Sequence, residues 1–354
     1  MIPALLALIE RLARHHDLEV FALQQEEQPR QWPLLGAQVH NIGAGRTSLR
    51  ALAAVRAAHR RERFDVLQTL WSGASGMVGV TAARLLGIPA AVHVAGGELV
   101  ALPQIGYGGR QSLSGRVREA LVLRGATQVT AASAPMIAAL RGLGISAQRL
   151  PLGVDLSRWP MRPPKLRAPG APARLIHVAS LNAVKDQTTL LQALALLQAS
   201  GIAFHLEVIG EDVLQGAMQR LAGQLGLASR VGFHGFLTQR QLRPLLEAAD
   251  LMLLTSRHEA GPMAVLEAAV TGVPSVGTAV GHLAEWAPEA ARVVPTADPQ
   301  ALATAVAGVL ADEDLRMRLA RAAQARALQE DADCTARMFE ALYARLTCAG
   351  TAGT

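Results

Sequence analysis

Only two of the 354 residues are cysteine, Cys334 and Cys348, both near the C-terminal end. Two such thiols make no disulfide framework and have no metal-ligand spacing, which favours a reducing setting. Aromatic residues make up 3% of the chain, so no basic platform interleaved with aromatics is present. Nucleic acid is therefore not an expected partner. No apolar run reaches the ~18 residues that would span a bilayer. The opening MIPALLALIERLARHH lacks a basic leader region and already carries Glu10 and Arg11, which predicts no secretory signal peptide. The expected location is the cytoplasm.

What the chain does have is enough apolar material for two cores. Hydrophobic residues account for 51% and charged residues for 18%, a globular balance, and the length suggests two domains. The net charge is +6, with Arg46, Arg50, Arg56, Arg60, Arg61 and Arg63 crowded in the N-terminal half. An anionic membrane surface is one partner that would suit this charge, and a solvated basic face is the other reading.

The chemistry concentrates between Ala249 and Glu285. Leu251 to Leu254 is a short apolar run, as in a buried parallel strand. Glu259, Gly261 and Pro262 follow, and then a helical pattern from Met263 that Gly272 ends. Pro at the first helical position and Gly past the last are the expected punctuation. Free N–H groups at this helix start, those of Gly261, Met263 and Ala264 on either side of Pro262, make a cradle for a phosphate. Glu259 and Glu267 stand before the helix and about a turn inside it. Both can line one pocket above the carboxyl end of the sheet.

Glu259-x7-Glu267, with Gly272-Val273-Pro274 after it, resembles the signature of retaining GT-B glycosyltransferases of family 4. Arg174 to Leu194 is similar to that family's strand, phosphate loop and helix. Val208-Ile209-Gly210-Glu211 and Val231-Gly232-Phe233-His234-Gly235 match its next two strand ends. Pro151-Leu152-Gly153-Val154-Asp155 matches its inter-domain hinge. The resemblance implies an α/β chain of two doubly wound Rossmann-like domains facing a central cleft. Residues 1–158 would bind the acceptor, and a Pro- and Arg-rich linker would occupy 159–173. Residues 174–328 would bind a nucleotide-sugar, and 329–354 would form a helix crossing back to the first domain.

Strands alternating with helices predict parallel βαβ units in both domains. The first domain departs from the pattern because it opens on a helix, Ile2 to Arg14, where a strand and Gly-rich turn should come first. The missing strand would lie between Leu18–Leu23 and Phe64–Thr69. A start placed too far downstream is one explanation and a truncated protein the other. An extension of about 10–20 residues is expected to improve solubility and activity.

By the resemblance, Glu267 accepts the hydroxyls of a ribose and Glu259 those of the donated sugar. Gly210, Glu211, Gly235 and Phe236 receive the base side of the donor. The Lys185 ammonium neutralises charge on the departing diphosphate. The family's second cation falls at Ser180, so one cation is absent there unless Arg257 substitutes. In the first domain the family's His falls at Ala95, and His93, two residues earlier on the same strand face, is a candidate to stand in or a satisfied strand histidine. Gly96, Gly97 and Glu98 lie at the acceptor side, and Gly106, Gly108 and Gly109 suggest either a mobile loop or a plain connection. Asp312/Asp314 and Asp331/Asp333 precede helices and read as caps, so no metal and no other cofactor is expected. The implied reaction is transfer from a nucleotide-diphosphate sugar to an acceptor hydroxyl. A non-catalytic nucleotide-sugar-binding protein is the alternative.

Overall fold

The computed structural model describes residues 3–351. Its contacts divide the chain at Gly153/Val154 and again at Asp331/Ala332. The outer segments form unit 1 and the segment between the boundaries forms unit 2.

Unit 1 runs α1 (Pro3–Leu12), β1 (Glu19–Ala22), β2 (Arg30–Leu34), β3 (Ala37–Asn41), α2 (Thr47–Arg61), β4 (Leu67–Leu70) and α3 (Ala74–Leu86). It continues β5 (Ala90–Val94), α4 (Leu113–Gly125), β6 (Gln128–Ala131), α5 (Ala134–Gly142) and β7 (Ala147–Arg149). The strands β4-β5-β6-β7 form a parallel sheet. Parallel pairing throughout is not what the remaining strands do. β2 pairs antiparallel with β3 in a separate sheet ordered β1-β3-β2. The cause is local: Leu35 and Gly36 both take positive φ, 52° and 87°, the geometry of a two-residue hairpin whose twist matches its strands. β1 and β4 flank the place expected to lack a strand. They belong to different sheets, and among the described residues each keeps one edge without a strand neighbour.

Unit 2 runs β8 (Ala173–Val178), α6 (Gln187–Ala199), β9 (Phe204–Ile209), α7 (Ala217–Gln224), β10 (Val231–Phe233), α8 (Gln239–Ala248) and β11 (Leu251–Leu254). Then come α9 (Met263–Val270), β12 (Ser275–Thr278), α10 (Gly281–Trp286), β13 (Arg292–Val294), α11 (Pro299–Ala311) and α12 (Glu313–Gln329). All six strands are parallel, in the order β10-β9-β8-β11-β12-β13. The chain winds outward from β8 in one direction, then returns to place β11 on its other side. The loops leaving β8 and β11 therefore splay apart at a topological switch point, where open α/β sheets hold ligands. Asp312 separates α11 from α12: its Oδ1 accepts from Leu315 N–H at 2.8 Å and starts α12.

Residues 159–173, expected as a linker, are a strap fastened along unit 2. The Trp159 side chain is buried with Met252, Val265 and Trp286. Arg162 N–H donates to Val270 O at 3.1 Å, and Gln324 Nε2 donates to Arg162 O at 2.6 Å. Arg167 N–H donates to Glu313 Oε1 at 2.9 Å. The last helix, α13 (Ala332–Thr351), belongs to unit 1. Its Phe339 and Leu342 share a core with Leu8, Leu12, Ala91 and Leu150, and Asp333 pairs with Arg11.

Candidate functional site

At the switch point the loop after β8 and the loop after β11 are joined by side chains. Lys185 Nζ stands 2.5 Å from Glu259 Oε1, and Ser256 Oγ donates to the same oxygen at 2.6 Å. Thr255 Oγ1 donates to Lys185 O at 2.9 Å, and Arg257 N–H donates to Val184 O at 2.8 Å. Arg257 Nε reaches Asp186 Oδ2 at 3.0 Å. Asp186, at φ 50°, caps α6 by accepting from Thr189 N–H at 3.4 Å and from its hydroxyl at 2.9 Å. A Cβ at Gly281 (φ 50°) would lie 2.8 Å from Pro262 Cδ and 3.1 Å from Glu259 Cβ. Glycine is needed there for the Glu259 loop to close.

Beneath the β8 loop, burial lowers the pKa of His177 to about 4, so its ring is neutral. Its Nδ1–H donates to Leu253 O at 2.9 Å, because a carbonyl can only accept. Nε2 is left to accept from Gln187 Nε2 at 3.1 Å, and the same amide reaches Ser180 O at 3.1 Å. This chain of bonds sets the path of residues 180–186. Ser180 itself is exposed and brings no charge. Arg257, the one arginine of the β11 loop, is engaged with Asp186.

The helix starts at Met263, where the sequence pattern put it, but the proline is not its first helical residue. Pro262 is the residue before the first helical one, and Met263 opens α9. No side chain caps this end, so the N–H groups of Met263 and Ala264 lack intrahelical acceptors. Glu267 lies on the same helix and is 7% exposed. Gln239 Nε2 donates to its Oε1 at 3.4 Å, and burial raises the carboxyl pKa to about 7. Nearby, Gly210 N–H donates to Gly235 O at 2.9 Å, tying the ends of β9 and β10. Gly210 sits at φ 152°, where a Cβ would come 2.0 Å from Ala179 O. Glu211 follows, its carbonyl accepting from Leu181 N–H at 2.8 Å, and Phe236 stands 76% exposed. Gln239, Ser256, His177 and the Asp186–Arg257 pair are absent from the sequence reading. Only Asp186, an Asp directly before an apolar helical run, carried a local signal.

In unit 1, His93 is fully buried in β5. Its Nδ1 is 2.9 Å from Thr130 Oγ1 and its ring lies edge-on to Phe339. Burial lowers its pKa to about 4. It points into the core shared with α13, which does not suit a stand-in at a reaction centre. Gly96, Gly97 and Glu98 follow β5. Glu98 Oε1 accepts from Ser72 N–H at 3.3 Å. Burial raises its pKa, and the N–H groups of Glu98, Ser72, Gly96 and Ala95 oppose that shift. A Cβ at Gly97 would lie 2.5 Å from the Tyr107 hydroxyl. Glu98 thus bridges the loops after β4 and β5. No cluster of three or more metal-ligating side chains occurs among the described residues. Asp312 is a cap and Asp333 an ion-pair partner.

Two family models match this chain: glycosyl transferases group 1 over residues 161–326, and the glycosyl transferase 4-like domain over residues 1–153. WcaL of Salmonella typhimurium, named as a colanic acid biosynthesis glycosyltransferase, is 30% identical over 48% of this chain and 44% of that protein. Glycogen synthase of Mycobacterium tuberculosis is 32% identical over 49% of this chain and 42% of its own length. The matches therefore span less than half of these curated relatives. Sucrose-phosphate synthase of Thermosynechococcus elongatus superposes with TM-score 0.79 at 21% identity, covering 97% of this chain and 92% of that one. HepE of Anabaena, solved in complex with UDP and glucose, gives 0.75 at 19% identity, covering 97% and 95%. The fold they share is GT-B, built from two Rossmann-like domains.

Proposed function

The chain belongs to the glycosyl transferases group 1 family, and on that premise we propose that it moves a sugar from a nucleotide-diphosphate donor to an acceptor hydroxyl with retention of configuration. The observation that carries this reading is the Lys185–Glu259 pair at 2.5 Å, beside a helix start that no side chain caps. A diphosphate can accept from the free N–H groups and draw the ammonium away from Glu259. Glu259 then turns to the hydroxyls of the donated sugar. Glu267 takes the ribose, and the exposed ring of Phe236 lies on the base side. The bond to the anomeric carbon breaks as Lys185 and the helix start stabilise the leaving diphosphate. The acceptor hydroxyl attacks from the same face and gives its proton to that diphosphate. UDP and UDP-glucose bind to HepE, which supports a nucleotide-sugar donor for this chain. Ser180 favours a second reading, a protein that binds the donor without turning it over.

Release of nucleoside diphosphate that depends on an acceptor, with the product anomer assigned by NMR, tests the proposal. Tight donor binding without release would leave the binding-protein reading. Activity is expected to persist in chelator. Loss in chelator with recovery on adding manganese would overturn the metal-free account.

Glu267 gives a pH prediction. A carboxylate that accepts ribose hydroxyls must be ionised, yet its pKa without nucleotide is raised to about 7. Below pH 7 binding must first remove that proton. Nucleotide affinity should therefore fall by about tenfold per pH unit under 7 and level off above it. Glu267→Ala should weaken binding by ~1–3 kcal/mol and flatten this slope. Calorimetry between pH 5.5 and 8.5 that finds the same slope in the variant would remove Glu267 from the site.

A further inference from the structure

Most surface helices bury one stripe and present polar residues elsewhere. α4 does not. Its inner face buries Gly115, Glu119, Val122 and Leu123. Its outer face carries Leu113, Val117 and Leu121, exposed by 77%, 51% and 61%. Spaced four apart, these three line up along one side of the helix. Arg116 flanks this apolar row on one side and Arg118 on the other, and Arg124 stands at its C-terminal end; all three are exposed. None of these arginines makes an ion pair among the described residues. The acid on this helix, Glu119, is turned inward and held by Arg110 at 2.5 Å, so it does not offset the outer charge. Beside the row, Arg110, Arg116 and Arg124 help line a groove of about 260 Å³ that also borders Leu143 and Ile145.

We propose that the outer face of α4 docks on a bilayer of anionic phospholipid, with Leu113, Val117 and Leu121 entering the acyl boundary and the flanking arginines meeting headgroup phosphates. An apolar row with cations on both sides fits an interface that is itself apolar within and negative at its rim. An apolar protein partner would leave the arginines desolvated and unpaired. Soluble phosphate would leave the leucines in water. No described helix is long and apolar enough to cross a membrane, so the contact is one of lying on the surface. The proposal does not rest on the donor chemistry.

Co-sedimentation of the full chain with vesicles tests it. Vesicles of phosphatidylcholine with 40% phosphatidylglycerol should pull the protein down, and phosphatidylcholine alone should not. An arginine near such a surface contributes about a factor of five. The triple variant Arg116→Ala, Arg118→Ala, Arg124→Ala should thus lower the partition coefficient by roughly 100-fold. Leu113→Ser, Val117→Ser, Leu121→Ser should lower it by at least about tenfold while leaving nucleotide binding in unit 2 unchanged. Equal binding to both vesicle types would overturn the proposal, as would full retention by either variant. So would elution of the wild-type chain as a dimer that the serine variant abolishes, because a second copy would then cover the face. Vesicle binding abolished by millimolar inorganic phosphate at constant ionic strength would reduce the site to an anion pocket and overturn it too.

Discussion

Lys185→Ala should lower turnover by about 10²–10³-fold while weakening nucleoside diphosphate binding by roughly tenfold or less. The asymmetry follows from when the charge is needed. On the proposed reading the diphosphate already meets the start of α9 in the ground state, so the ammonium adds modestly to binding. As the bond to the sugar breaks, negative charge gathers on the leaving oxygen and the single lysine counts for more, with Ser180 supplying none. The fold should tolerate the change. Glu259 keeps the Ser256 hydroxyl at 2.6 Å, and Thr255 holds the Lys185 carbonyl rather than its side chain. Steady-state kinetics beside calorimetry decide the matter. Equal losses in turnover and affinity would mean that Lys185 binds ground and transition states alike.

Arg316→Ala should be the most damaging single change to stability among those considered. Arg316 is 1% exposed on α12. Its Nη1 donates to Asp250 O at 3.1 Å, its Nη2 to Lys165 O at 2.5 Å, and its Nε to Glu313 Oε2 at 2.9 Å. One guanidinium thus ties the strap, the residue before β11 and its own helix start. Removing it leaves the Asp250 and Lys165 carbonyls without this donor, while the half-exposed Glu313 keeps the Arg167 N–H, a loss of about 1–3 kcal/mol for each carbonyl that stays buried. The melting temperature should drop by about 10 °C. Arg316, above all, holds the Glu313 carboxyl below its usual range. A depressed carboxyl contributes stability above its unfolded pKa and loses it as pH falls through the folded one. Wild type should therefore lose part of this margin in acid, and the variant should have less of it to lose. A melting shift under about 2 °C would show that water or another cation fills the place.

The centre of unit 2 was legible because its signals are local. A four-residue apolar run, a Gly-Pro before a helical pattern and a Gly after it marked β11, α9 and β12 within a residue or so. Pro262 missed its place by one because N-cap and first-turn prolines look alike in a sequence. The contacts that assemble the site were not legible. Lys185 and Glu259 meet across 74 residues, and Gln239 reaches Glu267 from a different helix. In unit 1 the β2–β3 hairpin turned on Leu35 taking positive φ, which a leucine does not advertise. His93 could be placed on a strand face but not assigned a depth. Its burial depends on Phe339, which arrives from the far end of the chain. α4 was invisible for a different reason: with apolar residues on both sides it has no single stripe for periodicity to find.

The route of the chain has a consequence for the order in which the protein is completed. Gly153 N–H donates to Thr335 Oγ1 at 2.8 Å, and that hydroxyl donates to Pro151 O at 2.9 Å. The points where the backbone leaves unit 1 and returns to it therefore adjoin. On a ribosome, residues 1–153 emerge without Phe339 and Leu342, the side chains that close over Leu8, Leu12 and Leu150. All of unit 2 is made in between, roughly 10–40 s at ordinary rates of synthesis. Unit 2 can collapse as soon as it emerges, since its six strands and both of its cores come from one unbroken segment. The older half must keep an apolar face covered by other means until α13 appears, so the half begun first is the half finished last.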